Sequence, residues 1–480
     1  MDNLSNSDIT QITLHGLTLD DIKQQLDNFI NGFPYANIIK PATINDGITR
    51  LTPQTEQKYL DIYNANINNK SITKFVPASG AATRMFKDLF EYLSNSQSNE
   101  TTDKVLQNIN KFAFYDKLKK HLPPHPTNRE IISAIVSKAG LNYGNLPKAL
   151  IIFHKTNNTE ITACEEHLIE GALYTKSNGI VNIHFTISPE HKTEFYNLIN
   201  HVIPIYEKQF NVKYNITTSE QNPATDTIAV SETNEIFRTS DKKILFRPSG
   251  HGALIENLNS IESDIIFIKN IDNVCNKENQ PDTIKYKQIL GGILIDTQNQ
   301  IFKYINDLEK DTYNIDEICN FITNNLGTRI TQKNKKTLIN ILNRPLRVCG
   351  VVKNTGAPGG GPFWVHDNKY NSESLQIIES SQIAPESRNL MEQSTHFNPV
   401  DIVCGVYDYQ HNKFDLTRYI DKNSGFISEK SDNGKKLRAM ERPGLWNGAM
   451  AYWNTIFIEV PNTTFTPVKK VSDLLTKAHI

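Results

Sequence analysis

Five short segments of the chain carry residue types that can handle phosphate chemistry. In PASGAATRM, the small residues Ser79, Gly80, Ala81 and Thr83 lead into Arg84. Small side chains let backbone N–H groups approach a phosphate, a following helix start adds a favourable dipole, and a guanidinium clamps phosphate with two parallel hydrogen bonds. In PSGHGALIENL, Gly250, His251 and Gly252 offer bare backbone against which a flat ligand such as a nucleobase can lie. In IIFIKNIDN, an apolar run ends at Asp272. Ligands of open α/β sheets bind at the carboxyl ends of strands. A hard carboxylate oxygen there suits Mg²⁺, which takes one or two carboxylates plus substrate phosphates. Pro147-Lys148 opens another apolar run, and its ammonium is a point charge for phosphate. FTPVKKVSDLL places Lys469 on a stretch that Pro467 keeps extended. Successive side chains of an extended segment point to opposite faces, so Lys469 and Lys470 should diverge.

The elements that must position these residues follow from periodicity. TLDDIKQQLDNFI has Thr18 as an N-cap and apolar residues at helical spacing, and TPQTEQKYLDIYNANI repeats the pattern. An N-terminal helical segment over 1–70 is expected, then a core over 71–480 with helical insertions at about 89–146 and 305–345. From residue 71 onward, apolar strands alternate with amphipathic helices, which predicts parallel strands with crossover helices. The fold class is α/β: a mixed, mostly parallel, Rossmann-like sheet flanked by helices. Segments near residues 75, 151, 182, 215 and 267 should be its strands, with LRVCGVV, LQIIESSQI and DIVCGVYDY extending it.

Composition narrows the partners. The chain has 480 residues, with 51 Lys+Arg against 52 Asp+Glu, a formal charge of −1. That balance excludes a generally basic nucleic-acid binder and a polybasic membrane patch. No apolar run approaches the roughly 20 residues of a membrane helix, and no basic, then apolar, leader stands at the N-terminus. The five cysteines are scattered and never form CxxC, so buried, reduced thiols in a cytoplasmic protein are expected.

Taken in order, the five segments resemble the sugar nucleotidyltransferases of the UDP-glucose and UDP-N-acetylhexosamine pyrophosphorylase group. PASGAATRM resembles that group's loop ending in Thr-Arg, PSGHGALIENL its Gly-His-Gly loop, and FIKNIDNV the strand that carries its metal Asp. QIIESSQI resembles its sugar-side segment, and the Phe-x-Pro-Val-Lys ending is the most specific match. Within the group the chain looks most like an uncharacterised bacterial family known by a domain-of-unknown-function label. The resemblance implies a nucleotide-diphospho-sugar transferase fold and the joining of a nucleoside triphosphate, UTP first, to a sugar 1-phosphate, with release of pyrophosphate. It implies Mg²⁺ on Asp272, and HFNPVDI offers Asp401 or Asn398 as candidates for a second ligand. Arg84 would face the pyrophosphate, and Lys469 with Lys148 the α-phosphate. Ser79, Gly80, Ala81, Thr83, Gly250, His251 and Gly252 would bind the nucleotide, and Glu379 and Asn398 the sugar. Two alternatives stay open: a glycosyltransferase of the same fold, and a nucleotide-sugar-binding protein without turnover.

Overall fold

Runs rich in Ile, Val and Phe build the central sheet of the computed structural model, which describes residues 4–80, 82–356, 359–367, 371–432 and 434–480, the side chains of 398–400 excepted. In chain order its strands are β1 (Thr43–Ile44), β2 (Gly47–Thr49), β3 (Ile72–Pro77), β4 (Ile180–Thr186), β5 (Lys213–Ser219), β6 (Ile265–Ile268), β7 (Leu346–Lys353), β8 (His396–Gly405) and β9 (Asn454–Glu459). Across the sheet the order is β1-β2-β9-β7-β8-β6-β3-β4-β5. All neighbouring pairs are parallel except the two made by β8, which runs against both β7 and β6. The α/β class and the mixed, mostly parallel sheet expected from the sequence are found. Ile265 lies beside Ile72, and Thr73 beside Asn182. The carboxyl ends of β6, β3 and β4 therefore share one edge.

Among the described residues the α-helices are α1 (Asn6–Leu14), α2 (Leu19–Asn31), α3 (Pro53–Asn66), α4 (Lys87–Asn95), α5 (Glu100–Gln107), α6 (Tyr115–Lys119), α7 (Asn128–Val136), α8 (Ala163–Tyr174), α9 (Lys192–Phe210), α10 (Leu254–Asn259), α11 (Gln280–Glu309), α12 (Ile315–Asn325), α13 (Lys335–Leu342) and α14 (Arg388–Glu392). Thr18 caps α2 reciprocally with Asp21, as its sequence predicts. Helices α4 to α7 follow β3. Their apolar faces (Leu89, Val105, Leu118, Ile132) share one core with α8, α9 and β4. The other flank of this face buries α3, α11, α12 and α13 against Ile72 and Phe267. On the opposite face, Phe75, Ile266 and Ile268 meet α10 and a four-stranded sheet that includes Gly361–Asp367 and Ser372–Ile378. Among the described residues no helix is long and apolar enough to cross a membrane, and all five cysteines are buried and free.

Three expectations need correction. The segment near residue 151 is not in the central sheet. Ile152–Thr156 folds back on Thr159–Thr162 as a separate hairpin. Asn157 and Asn158 both have positive φ, 48° and 64°, the geometry of a tight two-residue hairpin turn. LQIIESSQI supplies a strand of the smaller sheet, paired with Gly361–Asp367. The N-terminal segment is not helical throughout: Ile38–Pro41 joins the smaller sheet, while β1 and β2 edge the central one.

Lys74 sits in the middle of β3, fully buried among apolar neighbours. Its ammonium is 2.8 Å from Glu170 Oε2 on α8, and Lys269 Nζ is 2.7 Å from Glu170 Oε1, so one carboxylate answers two buried cations. Removing one side of a buried ion pair strands the other charge in low dielectric, at a cost of about 3–5 kcal/mol. Glu170→Gln should lower unfolding free energy by that amount, read from the midpoint of urea denaturation. A loss below about 1 kcal/mol would contradict this pairing.

Candidate active site

Asp272 follows the last residues of β6, at the edge where Ile271 N–H donates to Pro77 O at the end of β3. Two lysines far apart in sequence converge on its Oδ2. Lys148 Nζ lies at 2.7 Å and Lys469 Nζ at 3.1 Å. Lys148 also donates to Val468 O at 2.7 Å, so the strap bearing Lys469 is fastened by the lysine that it accompanies. The strap is held at Asp272 directly as well: Val468 N–H donates to Asp272 O at 3.0 Å.

The three charges are not equivalent. The Lys148 side chain is 14% exposed and that of Lys469 is 61% exposed. Burial pulls the Lys148 ammonium below its ordinary pKa, and Asp272 opposes that fall. Burial pushes the Asp272 carboxyl up, but the ammoniums of Lys469 and Lys148 more than reverse it and hold the group below the usual range. With its side chain largely in solvent, Lys469 can turn from Asp272 to an incoming phosphate, which replaces the carboxylate as its anionic partner. Lys470 points elsewhere, to Asp88 at 3.3 Å, as alternation along an extended strap requires.

The small-residue loop lies beside this cluster. Ala82 N–H donates to Leu146 O at 3.2 Å, and Ala78 N–H to Thr186 O at 3.1 Å. Leu146 immediately precedes Pro147-Lys148, so the loop and the lysine share one anchor despite the helical insertion between them. Ser79 is half-buried, Gly80 exposed, and nothing lies within 4 Å of where a Cβ on Gly80 would stand. Thr83 and Arg84 are exposed, and Arg84 makes no ion pair among the described residues. Ala81 lies outside the described residues.

The Gly250–Gly252 loop opens onto α10, which Asn257 ties to the carboxyl end of β5 through Ser219 Oγ at 2.7 Å and Glu220 O at 2.9 Å. Gly250 has φ +83°, a left-handed value that suits glycine. A Cβ on Gly252 would stand 1.7 Å from Pro443 O, so this glycine admits the backbone of the 443–447 segment. His251 stacks on Trp446, with centroids 4.4 Å apart, and its Nδ1 accepts from Leu445 N–H at 2.9 Å. That bond requires a ring unprotonated at Nδ1. Gly252→Ala should destabilise the chain by about 1–3 kcal/mol, the usual range for overpacking. Thermal denaturation checks this, and an unchanged midpoint would contradict the close approach.

Asp401 does not join Asp272. Its side chain is fully buried, 2.6 Å from Lys287 Nζ of α11. Its position in β8 turns the carboxylate inward, where that ammonium neutralises it. Glu379 is half-buried and caps the short turn Ser380–Gln382. It stands between Ile378 and the turn residue Gln382, both of which line a cavity of about 290 Å³. The Asn398 side chain lies outside the described residues.

Among the described residues no three His, Cys, Asp or Glu side chains are grouped as a metal site. Asp272 offers one carboxylate beside two ammoniums, so by charge it fits Mg²⁺ only when phosphates bring it and supply most of its ligands. Periodicity and motif could not reveal Val468 O as a partner of Lys148, nor Trp446 beneath His251. A lysine inside each of the apolar runs ITKFVP and FIKN was a legible signal for a buried acid, and the acid-rich α8 supplies it as Glu170.

A comparison with curated proteins found no match. Among solved structures, a point variant of the UDP-glucose pyrophosphorylase of Leishmania major, in complex with UDP-glucose, is 12% identical, with a TM-score of 0.48, covering 98% of this chain and 79% of that one. The uridine diphosphate N-acetylglucosamine pyrophosphorylase of Trypanosoma brucei, in complex with inhibitor, is 12% identical, with a TM-score of 0.45, covering 98% and 77%. The family described as Domain of unknown function (DUF4301) matches residues 5–480. With that match running through every segment singled out above, the chain belongs to the DUF4301 family.

Proposed function

We propose that the chain is a sugar-1-phosphate nucleotidyltransferase, with UTP as the first nucleotide to test. The carrying observation is the meeting of Lys148 and Lys469 on Asp272, at the carboxyl edge and beside the small-residue loop. An oxygen of the sugar phosphate attacks the α-phosphorus of the triphosphate. The bond from that phosphorus to the β-bridging oxygen breaks, and its electron pair leaves on pyrophosphate. No covalent intermediate is required, so the residues act by positioning and by neutralising charge. Lys469 swings from Asp272 to the α-phosphate, and Lys148 stays as a buried, fixed charge. Arg84, exposed and without an ion pair among the described residues, meets the leaving pyrophosphate. Mg²⁺, carried in on phosphate and held by Asp272, would supply further neutralisation of the reacting oxygens.

The cavity beside Glu379 suits the sugar ring. Among the described residues its lining includes Asn37, Gln376, Asn447, Tyr35 and Tyr452, with no lysine or arginine. Amides and tyrosines offer donors and acceptors to an uncharged polyol. The reverse reaction tests the reading: incubation with pyrophosphate and a panel of nucleoside diphosphate sugars should yield the nucleoside triphosphate. Hydrolysis or sugar transfer in its place would favour the glycosyltransferase alternative, and binding without turnover the non-catalytic one.

A further inference from the structure

The end of the chain is tied down by a row of buried side chains that the proposed reaction does not use. His479 is buried and faces back along its own segment, its Nε2 3.1 Å from Thr466 O. Its Nδ1 is 2.7 Å from Nε2 of His154. His154 Nδ1 is in turn 2.6 Å from Glu166 Oε1 on α8, and Gln280 Nε2 donates to Glu166 Oε2 at 2.8 Å.

The chemistry of each atom fixes the direction of this row. A carbonyl only accepts, so His479 Nε2 carries a proton and donates to Thr466 O. In a neutral His479 ring, Nδ1 accepts, so His154 Nε2 carries a proton. His154 Nδ1 and Glu166 Oε1 then share a single proton. Burial pushes the Glu166 carboxyl well up and pulls the His154 ring down to about 4, which places that proton on Glu166. Burial, together with the neighbouring His154, likewise pulls His479 down to about 4. The row is uncharged, and every donor meets an acceptor.

Its last acceptor belongs to Thr466, three residues before Lys469. Thr466 is also fixed by its N–H to Asn273 Oδ1 at 2.9 Å and by its hydroxyl to Val274 O at 3.0 Å. The same short segment thus hangs between the Asp272 turn on one side and His479 on the other. We propose that Glu166, His154 and His479 form a latch that positions Lys469 over the reacting phosphates. They are positioning residues, since none of them touches Asp272, Lys148 or Lys469. The kinetic part of this inference rests on the transferase reading, and the structural part does not.

The test uses the full chain. His479→Phe keeps a ring of similar volume beside Phe153 but removes both hydrogen bonds, whereas His479→Gln can accept from His154 and donate to Thr466 O. Hydrogen exchange followed by mass spectrometry should show the amides of 466–471 exchanging at least tenfold faster in His479→Phe, with β3 unchanged. His479→Gln should restore protection. In the transfer reaction, His479→Phe should lower kcat about tenfold with nucleotide KM within twofold of the parent, and Gln should rescue it. Unchanged exchange in 466–471, or an increase spread equally through β3, would overturn the latch. So would failure of Gln to restore protection. If the chain proves to have no transferase activity, the exchange results alone decide whether the latch exists.

Discussion

Lys469→Met should lower kcat by about 100- to 1,000-fold, the loss expected when one preorganised electrostatic donor is removed. Methionine keeps the unbranched stem and deletes only the charge, so the strap should stay seated through Val468 N–H and the Lys148 bond to Val468 O. Nucleotide KM should change much less, because the charge is needed most when the phosphorus becomes five-coordinate. Lys470→Met is the internal control. Its ammonium reaches Asp88 and not Asp272, so its effect should stay within about threefold, an energy below about 1 kcal/mol. Steady-state kinetics of both variants check the assignment. If Lys470 were the sensitive residue, the register of the strap would be wrong by one position.

Asp272→Asn should cost about 1,000-fold or more in turnover, roughly 4 kcal/mol of barrier. Asparagine fills the same space and leaves the backbone contact to Val468 N–H intact. What disappears is the carboxylate that faces both Lys148 and Lys469. Lys148, largely buried, loses the main partner that opposes the fall in its pKa. The acid that would hold Mg²⁺ goes with it. Circular dichroism should show an unchanged fold, and pyrophosphate-release kinetics the loss. Activity within about tenfold of the parent would remove Asp272 from the chemistry.

Much of the scaffold was legible because local pattern and global fold agree. The runs near residues 75, 182, 215 and 267 are strands of one sheet, since β-branched residues bounded by turn formers have few other uses. The run after Pro147 misled because Ile152 and Phe153 are as apolar as a central strand, and only the adjacent asparagines mark it as a hairpin. Strands β1 and β2 are two and three residues long, too short for any period to show, and exist through pairing, β2 with β9 and β1 with β2. Lys148 and Lys469 could be named from motifs, but their meeting on one oxygen needed the fold. Asp401 carried a sequence signal indistinguishable from that of a surface acid. Its partner, Lys287, lies on the long helix α11, and no local rule connects the two. No motif marks His479, and the row of hydrogen bonds that buries it joins three distant parts of the chain.

Direct transfer of a nucleotidyl group at the Asp272 edge stands or falls with the forward reaction. The full chain would be given UTP, Mg²⁺ and each of a panel of sugar 1-phosphates, with pyrophosphate measured continuously and the nucleotide product weighed by mass spectrometry. Pyrophosphate and a nucleoside diphosphate sugar are expected in equal amounts, both requiring the sugar phosphate and both lost in Asp272→Asn. Pyrophosphate released without any sugar phosphate, or an Asp272→Asn protein as active as the parent, would contradict it.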